Sequence, residues 1–442
     1  MSPANSVCPR WSVLLLAVLL LACAPKREFR GSDQATTQAV LLVALDGFHP
    51  SYLDRAPSRH LRRLADSGVR ARWMRPVLPT VTFPNFYTIV TGLYPEHHGI
   101  VSNWMKDTSL GTRFRIGDSS AVHDPRWWGG EPLWLTAVRQ GKKAASFFWP
   151  GSDVAIQNLR PTYYRLYDSR VPNAERVRQV LQWLSLPEAT APDLVTLYFG
   201  DVDKAGHDFG PNAAQTDSAI ARVDSAVGAL VSGLEARGLA QRVNLVLVSD
   251  HGMSSLDPQR VIYLEDLIDM EAVDVVDWGP FLSLDPAPQK QEEIYRNLRS
   301  HPRLTVYRKS SVPARYHYRS HHRIPSIIGI ADDGWMVTTR DRLAADSTKP
   351  FSRGGHGHAP ENQSMRAIFI ARGPAFRKGL VVEPFQNIHV YALLAHILEL
   401  QPAPNDGSLD SVRALLAPAP KRSGPPAVSD STQEGRSTRS KD

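Results

Sequence analysis

Cysteine is almost missing from this chain: 442 residues carry two, Cys8 and Cys23. Long apolar runs are scarce as well. The run Val13 to Ala22 stops at ten residues, where crossing a bilayer takes about 20. Runs of lysine and arginine are lacking. The formal charge of +7 is spread along the chain, which argues against a nucleic-acid arm and predicts no stable nucleic-acid partner. That dispersed charge still favours anionic phosphate substrates slightly. No internal repeat is visible. What remains is an ordinary globular composition, long enough for one large domain or two coupled ones.

The N-terminus predicts export. Arg10 closes a short basic region, the apolar run follows, and Leu20-Leu21-Ala22-Cys23 resembles the bacterial lipoprotein signal, whose cysteine is lipidated and becomes the new N-terminus. Residues 1–23 are therefore expected to be a signal peptide, with the mature protein anchored in the cell envelope through lipidated Cys23. Cys8 falls in the removed part. The mature chain then has no thiol pair, which excludes a disulfide and a cysteine-ligated metal. Alanine, not aspartate, follows Cys23, and by analogy with lipoprotein sorting this predicts the outer membrane.

Residues 24–37 are polar and read as a tether. Val40 to Leu45 is a continuous apolar run of strand length, the pattern of a parallel strand buried on both faces. Leu194 to Phe199, Val243 to Val248 and Ala367 to Ile370 repeat it. Between them, residues 213–235 place Ile220, Val223, Val227, Leu230, Val231 and Leu234 at helical spacing. Strands alternating with helices predict an α/β domain over residues 38–416, with a central, mostly parallel sheet flanked by helices. The site of such a sheet lies beyond the carboxyl ends of its strands. Residues 257–350 break the alternation with scattered proline and many aromatics, and are expected to form a smaller inserted subdomain. Residues 417–442 are rich in proline, serine, arginine and glycine without periodicity, and are expected to be a disordered tail.

Metal-ligand residue types recur where such a sheet would present them. Asp46 follows the first strand and precedes Gly47; a carboxylate there either coordinates a metal or caps the next turn. Asp250-His251-Gly252 follows another strand, and the glycine relaxes the backbone enough for both side chains to reach one ion. Asp203 and His207 are four apart and share one face of a helical turn. Asp201 competes with Asp203, and the spacing to His207 favours Asp203. His356 lies in Gly-Gly-His-Gly-His. Thr82 precedes Phe83-Pro84-Asn85, where Pro84 is placed as a helix-start residue. An isolated threonine there reads as a helix cap; beside three Asp and three His it reads as a nucleophile, at a helix end that favours an incoming phosphate. Three Asp, three His and one hydroxyl suit two adjacent Zn²⁺ ions in a hydrolase. Asn103 closes the segment that Thr82 begins.

The stretches PTVTFPNFYTIVTGLYPEHHGIVSN, WWGGEPLW, FFWPGSDV, VSDHGM and the HGH-to-SMRAIF block resemble the nucleotide pyrophosphatase/phosphodiesterase family of the alkaline phosphatase superfamily. The match runs from about Val40 to about Leu416. The resemblance implies an alkaline-phosphatase-like fold and two Zn²⁺ per chain. Asp203, His207 and His356 would hold one ion; Asp46, Asp250 and His251 would hold the other, with the Thr82 hydroxyl on it. Asn103, helped by the backbone N–H after Thr82, would bind the phosphoryl oxygens. Phe83, Trp149 and Tyr167 match positions that sandwich a nucleobase, and Asp153 lies near the same pocket. The implied substrates are nucleoside triphosphates, dinucleotides and nucleotide diesters, cleaved through a nucleotidyl-threonine to release nucleoside 5′-monophosphate. The alternative within the superfamily is a lysophospholipid or choline phosphodiesterase, which would replace the aromatic stack by an apolar channel or a quaternary-ammonium cage.

The sequence departs from the family pattern at three places. Val81 replaces a lysine often found before the nucleophile. Asp201-Val202-Asp203 replaces Glu-Pro-Asp, and His358-Ala359-Pro360 replaces Tyr-Asp-Asn. These departures bear on substrate preference, since none is a proposed ligand. His358 is a further candidate for lining the site.

Overall fold

The computed structural model describes residues 38–345 and 351–418. The expected signal peptide with Cys23, the tether, residues 346–350 of the expected insertion and the tail from residue 419 lie outside the described residues.

The apolar runs build the sheet. Val40, Leu41, Leu42 and Val43 are fully buried, and their strand, Ala39–Leu45, lies between two parallel partners, Leu194–Phe199 and Val243–Val248. Eight strands follow one another in the order Leu380–Val382, Val69–Ala71, Phe369–Arg372, Val243–Val248, Ala39–Leu45, Leu194–Phe199, Ala144–Phe147 and Tyr163–Arg165. Only Phe369–Arg372 runs against its neighbours. The expected central, mostly parallel sheet is what the chain forms.

Side-chain alternation divides the central strand between two cores. Val40, Leu42 and Ala44 pack with Phe86, Ile89 and Leu393 on one face; Leu41, Val43 and Leu45 pack with Leu61, Val177 and Ile220 on the other. Helices therefore cover both faces, the arrangement a doubly buried parallel sheet requires. Trimming Leu42 to alanine would cost about 2–5 kcal/mol through lost transfer energy and the cavity left behind. The helix expected over 213–235 is Ala214–Ala236, with Ile220, Val223, Val227, Leu230 and Leu234 buried at the predicted spacing and Val231 only partly buried at the edge of that core.

Between Val248 and Phe369 the chain builds a second, antiparallel sheet of Val273–Asp277, Phe281–Pro286, Ile327–Ala331 and Leu304–Arg308. It has its own core, where Ile294 and Leu298 of the helix Gln291–Arg299 pack on Leu282, Leu284 and Ile327. The hairpin Trp104–Asp107/Thr112–Arg115 joins it to the main domain. Lys106 Nζ lies 2.7 Å from Asp274, and the buried Arg323 guanidinium donates to Asp107, Gly99 O and Trp127 O. Burial opposes ionisation of Asp107, but Ser109, Arg323 and His322 outweigh it and hold the carboxyl well below its usual range. Among the described residues, no helix is long and apolar enough to cross a membrane.

Candidate active site

Three neighbouring strands and one helix deliver the carboxylates. Asp46 follows the end of Ala39–Leu45, and its N–H donates to Phe199 O of the next strand. Gly47 has φ +66°, and a Cβ there would lie 3.0 Å from Asp203 Cα. Glycine thus admits both the turn and the approach of Asp203. The Gly47 N–H donates to Asp250 Oδ1. The helix Asp201–Phe209 starts two residues after its strand and brings Asp203 Oδ1 and His207 Nε2 to 3.5 Å. Asp201 turns away, accepting from Asn173 Nδ2. His356 enters on Gly354–Gly355, which pairs with Ser254–Ser255. A Cβ on Gly354 would lie 2.3 Å from Gly206 O, so only glycine lets this strand reach the helix that carries His207.

The donor atoms are arranged for cations. Each histidine donates its Nδ1–H to a backbone carbonyl: His207 to Gly354, His251 to Gly252, His356 to Thr80. A carbonyl can only accept, so in the neutral form each ring carries its lone pair on Nε2, the atom a metal ligand offers. His207 Nε2 and His356 Nε2 face each other at 3.0 Å, an arrangement no hydrogen bond between them satisfies. Asp46 Oδ1 and Asp203 Oδ1 are buried and accept no hydrogen bond. Asp250 Oδ2 also lacks an aligned donor, although it lies 2.9 Å from His251 Nε2. Tetrahedral zinc, with bonds of about 2.0–2.1 Å, holds its ligand atoms about 3.3–3.4 Å apart. Asp203 Oδ1, His207 Nε2 and His356 Nε2 stand 3.0, 3.5 and 3.6 Å from one another. His251 Nε2 is close to both groups: it clusters with Asp46 and Asp250, and also with Asp203 and His356.

Electrostatics points the same way. Burial, then the charges of Asp250 and Asp203, push Asp46 well above the carboxylate range. Burial, then His251 and His207, push His356 well below the usual imidazole value. Burial opposes protonation of His251, but Asp250 outweighs it and raises the group. Crowding disfavours the ionised Asp46 and keeps His356 neutral; a cation between them would favour the ionised carboxylates and the neutral imidazoles together.

Thr82 is the first residue of the helix Thr82–Thr91. The capping position is Val81, and no side chain caps this end. The Thr82 hydroxyl is therefore not spent as a cap; Oγ1 lies 3.4 Å from His251 Nε2. Asn103 Oδ1 accepts from the Phe83 N–H at 2.9 Å. This corrects the expectation that the Phe83 N–H serves phosphoryl oxygens, since Asn103 occupies it and offers its own amide NH₂ instead.

On the nucleoside side, Tyr167 is 57% exposed and Phe83 is partly exposed, packed edge-on against Phe114. Trp149 is a correction. It is 1% exposed, lies edge-on to Phe86 and donates Nε1–H to Phe86 O, so it supports the nucleophile helix from below and has no face open to a base. Asp153 accepts from the Tyr167 N–H and meets His123 Nε2 at 3.2 Å, which fixes the loop carrying Tyr167. His358 is fully buried, with Nε2 on Trp335 O, and does not line the site.

Three supporting residues escaped sequence reasoning. Tyr198 donates its hydroxyl to Asp46 Oδ2 at 2.5 Å and lies against Phe86 and Tyr167; burial, then Asp46, hold that phenol protonated. Asn85 is buried and ties Val77, Pro79 and Val81 by their backbones. Thr80 donates to His358 O and accepts from the Gly357 N–H, joining the nucleophile segment to the His356 loop. The one local signal was a hydroxyl inside an apolar strand, Tyr198 in Leu194–Phe199, and it does not tell which partner the hydroxyl meets.

A family profile described as Type I phosphodiesterase / nucleotide pyrophosphatase matches residues 40–359. The chain is 39% identical over 406 residues to ectonucleotide pyrophosphatase/phosphodiesterase family member 3 of Rattus norvegicus, covering 89% of this chain and 46% of that protein. It is 39% identical over 414 residues to a venom phosphodiesterase of Crotalus durissus collilineatus, covering 87% and 48%. The chain spans about half the length of these relatives. Among solved structures, an inactive form of murine ectonucleotide pyrophosphatase/phosphodiesterase 5 in complex with AMP has a TM-score of 0.81 at 36% identity, covering 86% of this chain and 100% of that chain. The human counterpart matches at the same TM-score and 35% identity.

Proposed function

Because this chain belongs to the type I phosphodiesterase/nucleotide pyrophosphatase family, with its alkaline-phosphatase-like α/β fold, we propose that it is a two-zinc hydrolase of 5′-nucleotide phosphodiester and pyrophosphate bonds. Nucleoside triphosphates, dinucleotides and nucleotide diesters are its substrates, and nucleoside 5′-monophosphate is a product. The observation that carries this reading is the position of Thr82 Oγ1, uncapped at a helix N-terminus and 3.4 Å from His251 Nε2, among three histidines held through Nδ1 and three under-satisfied carboxylates. The murine relative solved with AMP supports a nucleoside monophosphate as product.

Asp46, Asp250 and His251 would hold one zinc, and Asp203, His207 and His356 the other. When bound, the two ions lower the pKa of a hydroxyl and a water and stabilise the entering and departing oxygens. Thr82 Oγ loses its proton to solvent and forms a bond to the α-phosphorus, while the bond to the leaving-group oxygen breaks. Asn103 Nδ2–H binds a non-bridging oxygen where charge develops. Phe83 and Tyr167 hold the base by stacking, which accepts any nucleobase. Water then attacks the same phosphorus, and Thr82 Oγ departs and recovers a proton. Two in-line displacements leave the configuration at phosphorus unchanged. We also propose that the protein is exported and anchored through lipidated Cys23; a Cys23→Ser variant that stayed with the membrane fraction would contradict this.

The test compares p-nitrophenyl thymidine 5′-monophosphate with p-nitrophenyl phosphate, beside Thr82→Ala and a metal assay. A strong diester preference, about two zincs per chain and an inactive variant are expected. Preference for the monoester would make the protein a phosphatase, and turnover of lysophospholipid or choline diesters alone would move it to the lipid branch.

A further inference from the structure

Two depressions open beside the ligands. One, of about 290 Å³, is lined by Asn103, His207, His356 and Asp277. The other is lined by Tyr167, Tyr198 and Asp203, together with Arg176. Arg176 belongs to neither metal group, yet it is a cation only 5% exposed. Burial disfavours its charge, and Asp201 is the first group to offset this. The two form no ion pair among the described residues, since Asp201 meets Asn173 and Arg222 instead. A buried guanidinium without a counter-ion is costly unless its N–H groups are used.

Sheet geometry supplies one of its acceptors. Successive backbone groups of a parallel strand turn to opposite neighbours. Phe199 O accepts from the Asp46 N–H, on the side of Ala39–Leu45, so Tyr198 O points the other way, toward Ala144–Phe147. That strand has already ended: Phe147 pairs with Leu197, and Phe148 turns off at φ +72°, a conformation bulky residues rarely adopt. Arg176 Nη1 donates to the Tyr198 O left over, at 2.9 Å. Its Nε donates at 3.0 Å to Val171 O, where the loop carrying Tyr167 meets the helix Asn173–Leu184. The guanidinium carbon lies 5.0 Å from the Phe148 ring centroid. The Tyr167 ring in turn meets Phe148 edge-on at 5.3 Å and Tyr198 edge-on at 6.3 Å. Both rings that support the exposed Tyr167 are therefore held by Arg176, one through its face and one through its carbonyl.

We propose that Arg176 is the positioning residue of the nucleobase platform: it fixes the rings and the loop on which Tyr167 stands, and so sets the affinity for the nucleoside half of the substrate without touching it. The inference rests on the nucleotide reading above. A platform built in advance spares the substrate the cost of ordering an exposed loop.

The experiment measures kcat, KM and zinc content of the full chain, with p-nitrophenyl thymidine 5′-monophosphate and with methyl p-nitrophenyl phosphate, a diester that brings no base. Arg176→Met keeps the length and removes the donors. It is expected to raise KM for the nucleotide about tenfold and to change kcat by less than about twofold. The methyl diester's kcat/KM and the zinc content should stay as in wild type. In a Tyr167→Ala background, where the platform is already gone, the same substitution should move KM by less than about twofold. Arg176→Lys keeps the charge but not the planar fork. It should fall between, and it keeps the test alive if the Met variant fails to fold. An unchanged nucleotide KM in both variants, an equal loss on both substrates, or the full effect in the Tyr167→Ala background overturns the assignment and leaves the nucleotide reading standing. A wild-type protein that does not prefer the nucleotide to the methyl diester overturns both.

Discussion

Asp46, Asp250 and His251 keep between 0% and 2% of their side-chain surface exposed, whereas Asp203 and His207 keep 19% and 37%. The donors are of the same kinds, but their supports differ. The inner group stands on adjacent, fully buried strands, with Tyr198 holding the second oxygen of Asp46. The outer group stands on a nine-residue helix and a two-residue strand, beside both depressions. The inner group is thus rigidly held beside Thr82. The outer one is more exposed and lines both depressions.

Breaking the inner side should hurt most. Thr82→Ala should cost at least about 10⁴-fold in kcat, as loss of a covalent nucleophile does, with metal content unchanged; survival of activity would remove Thr82 from the mechanism. Asp250→Asn comes next. It removes charge from a sealed site, and should lose one metal equivalent and about a thousandfold in activity. His207→Ala touches the outer group and should bind its second zinc more weakly, with activity recovered at high zinc concentration. If His207→Ala proved harder to rescue than Asp250→Asn, the contrast between the two groups would be wrong. Tyr198→Phe should weaken inner-site metal affinity by about 10-fold, the usual effect of losing a hydrogen bond that orients a ligand; an equilibrium metal competition assay measures it.

The smallest effect concerns Asp277, on the outer side. Burial raises its carboxyl from 3.8 to about 7. A raised folded pKa means the fold prefers the protonated form, so this contribution is fully present below 3.8 and is lost as pH rises through about 7. Asp277→Asn should therefore raise the melting temperature relative to wild type at pH 8 and gain nothing at pH 4. Equal shifts at both pH values would reject the assignment.

What could be read without coordinates follows the same division. Four apolar runs and one 3.6-residue periodicity are local signals, and they mark the sheet and the helix Ala214–Ala236. The i,i+4 spacing of Asp203 and His207 and the adjacency of Asp250 and His251 are local too. Trp149 misled because its motif says nothing about which way the ring turns, and Phe86 covers it. Tyr198, Asn85 and Thr80 were invisible because their partners lie far along the chain, at Asp46, Asn387 and His358.

The second sheet interrupts the chain between His251 and His356, the two ligands whose rings stack at 3.7 Å. The chain-closure entropy of such an excursion grows only logarithmically, by about 0.6 kcal/mol for each doubling of its length. The excursion can therefore lengthen, shorten or be exchanged at little thermodynamic cost, provided its two ends return to the same place. It also lines the cavity beside His207 and His356, so altering it would reshape that wall while leaving Thr82 and the strands of the main sheet in place. That wall is a replaceable part, hung between two fixed points of an otherwise closed frame.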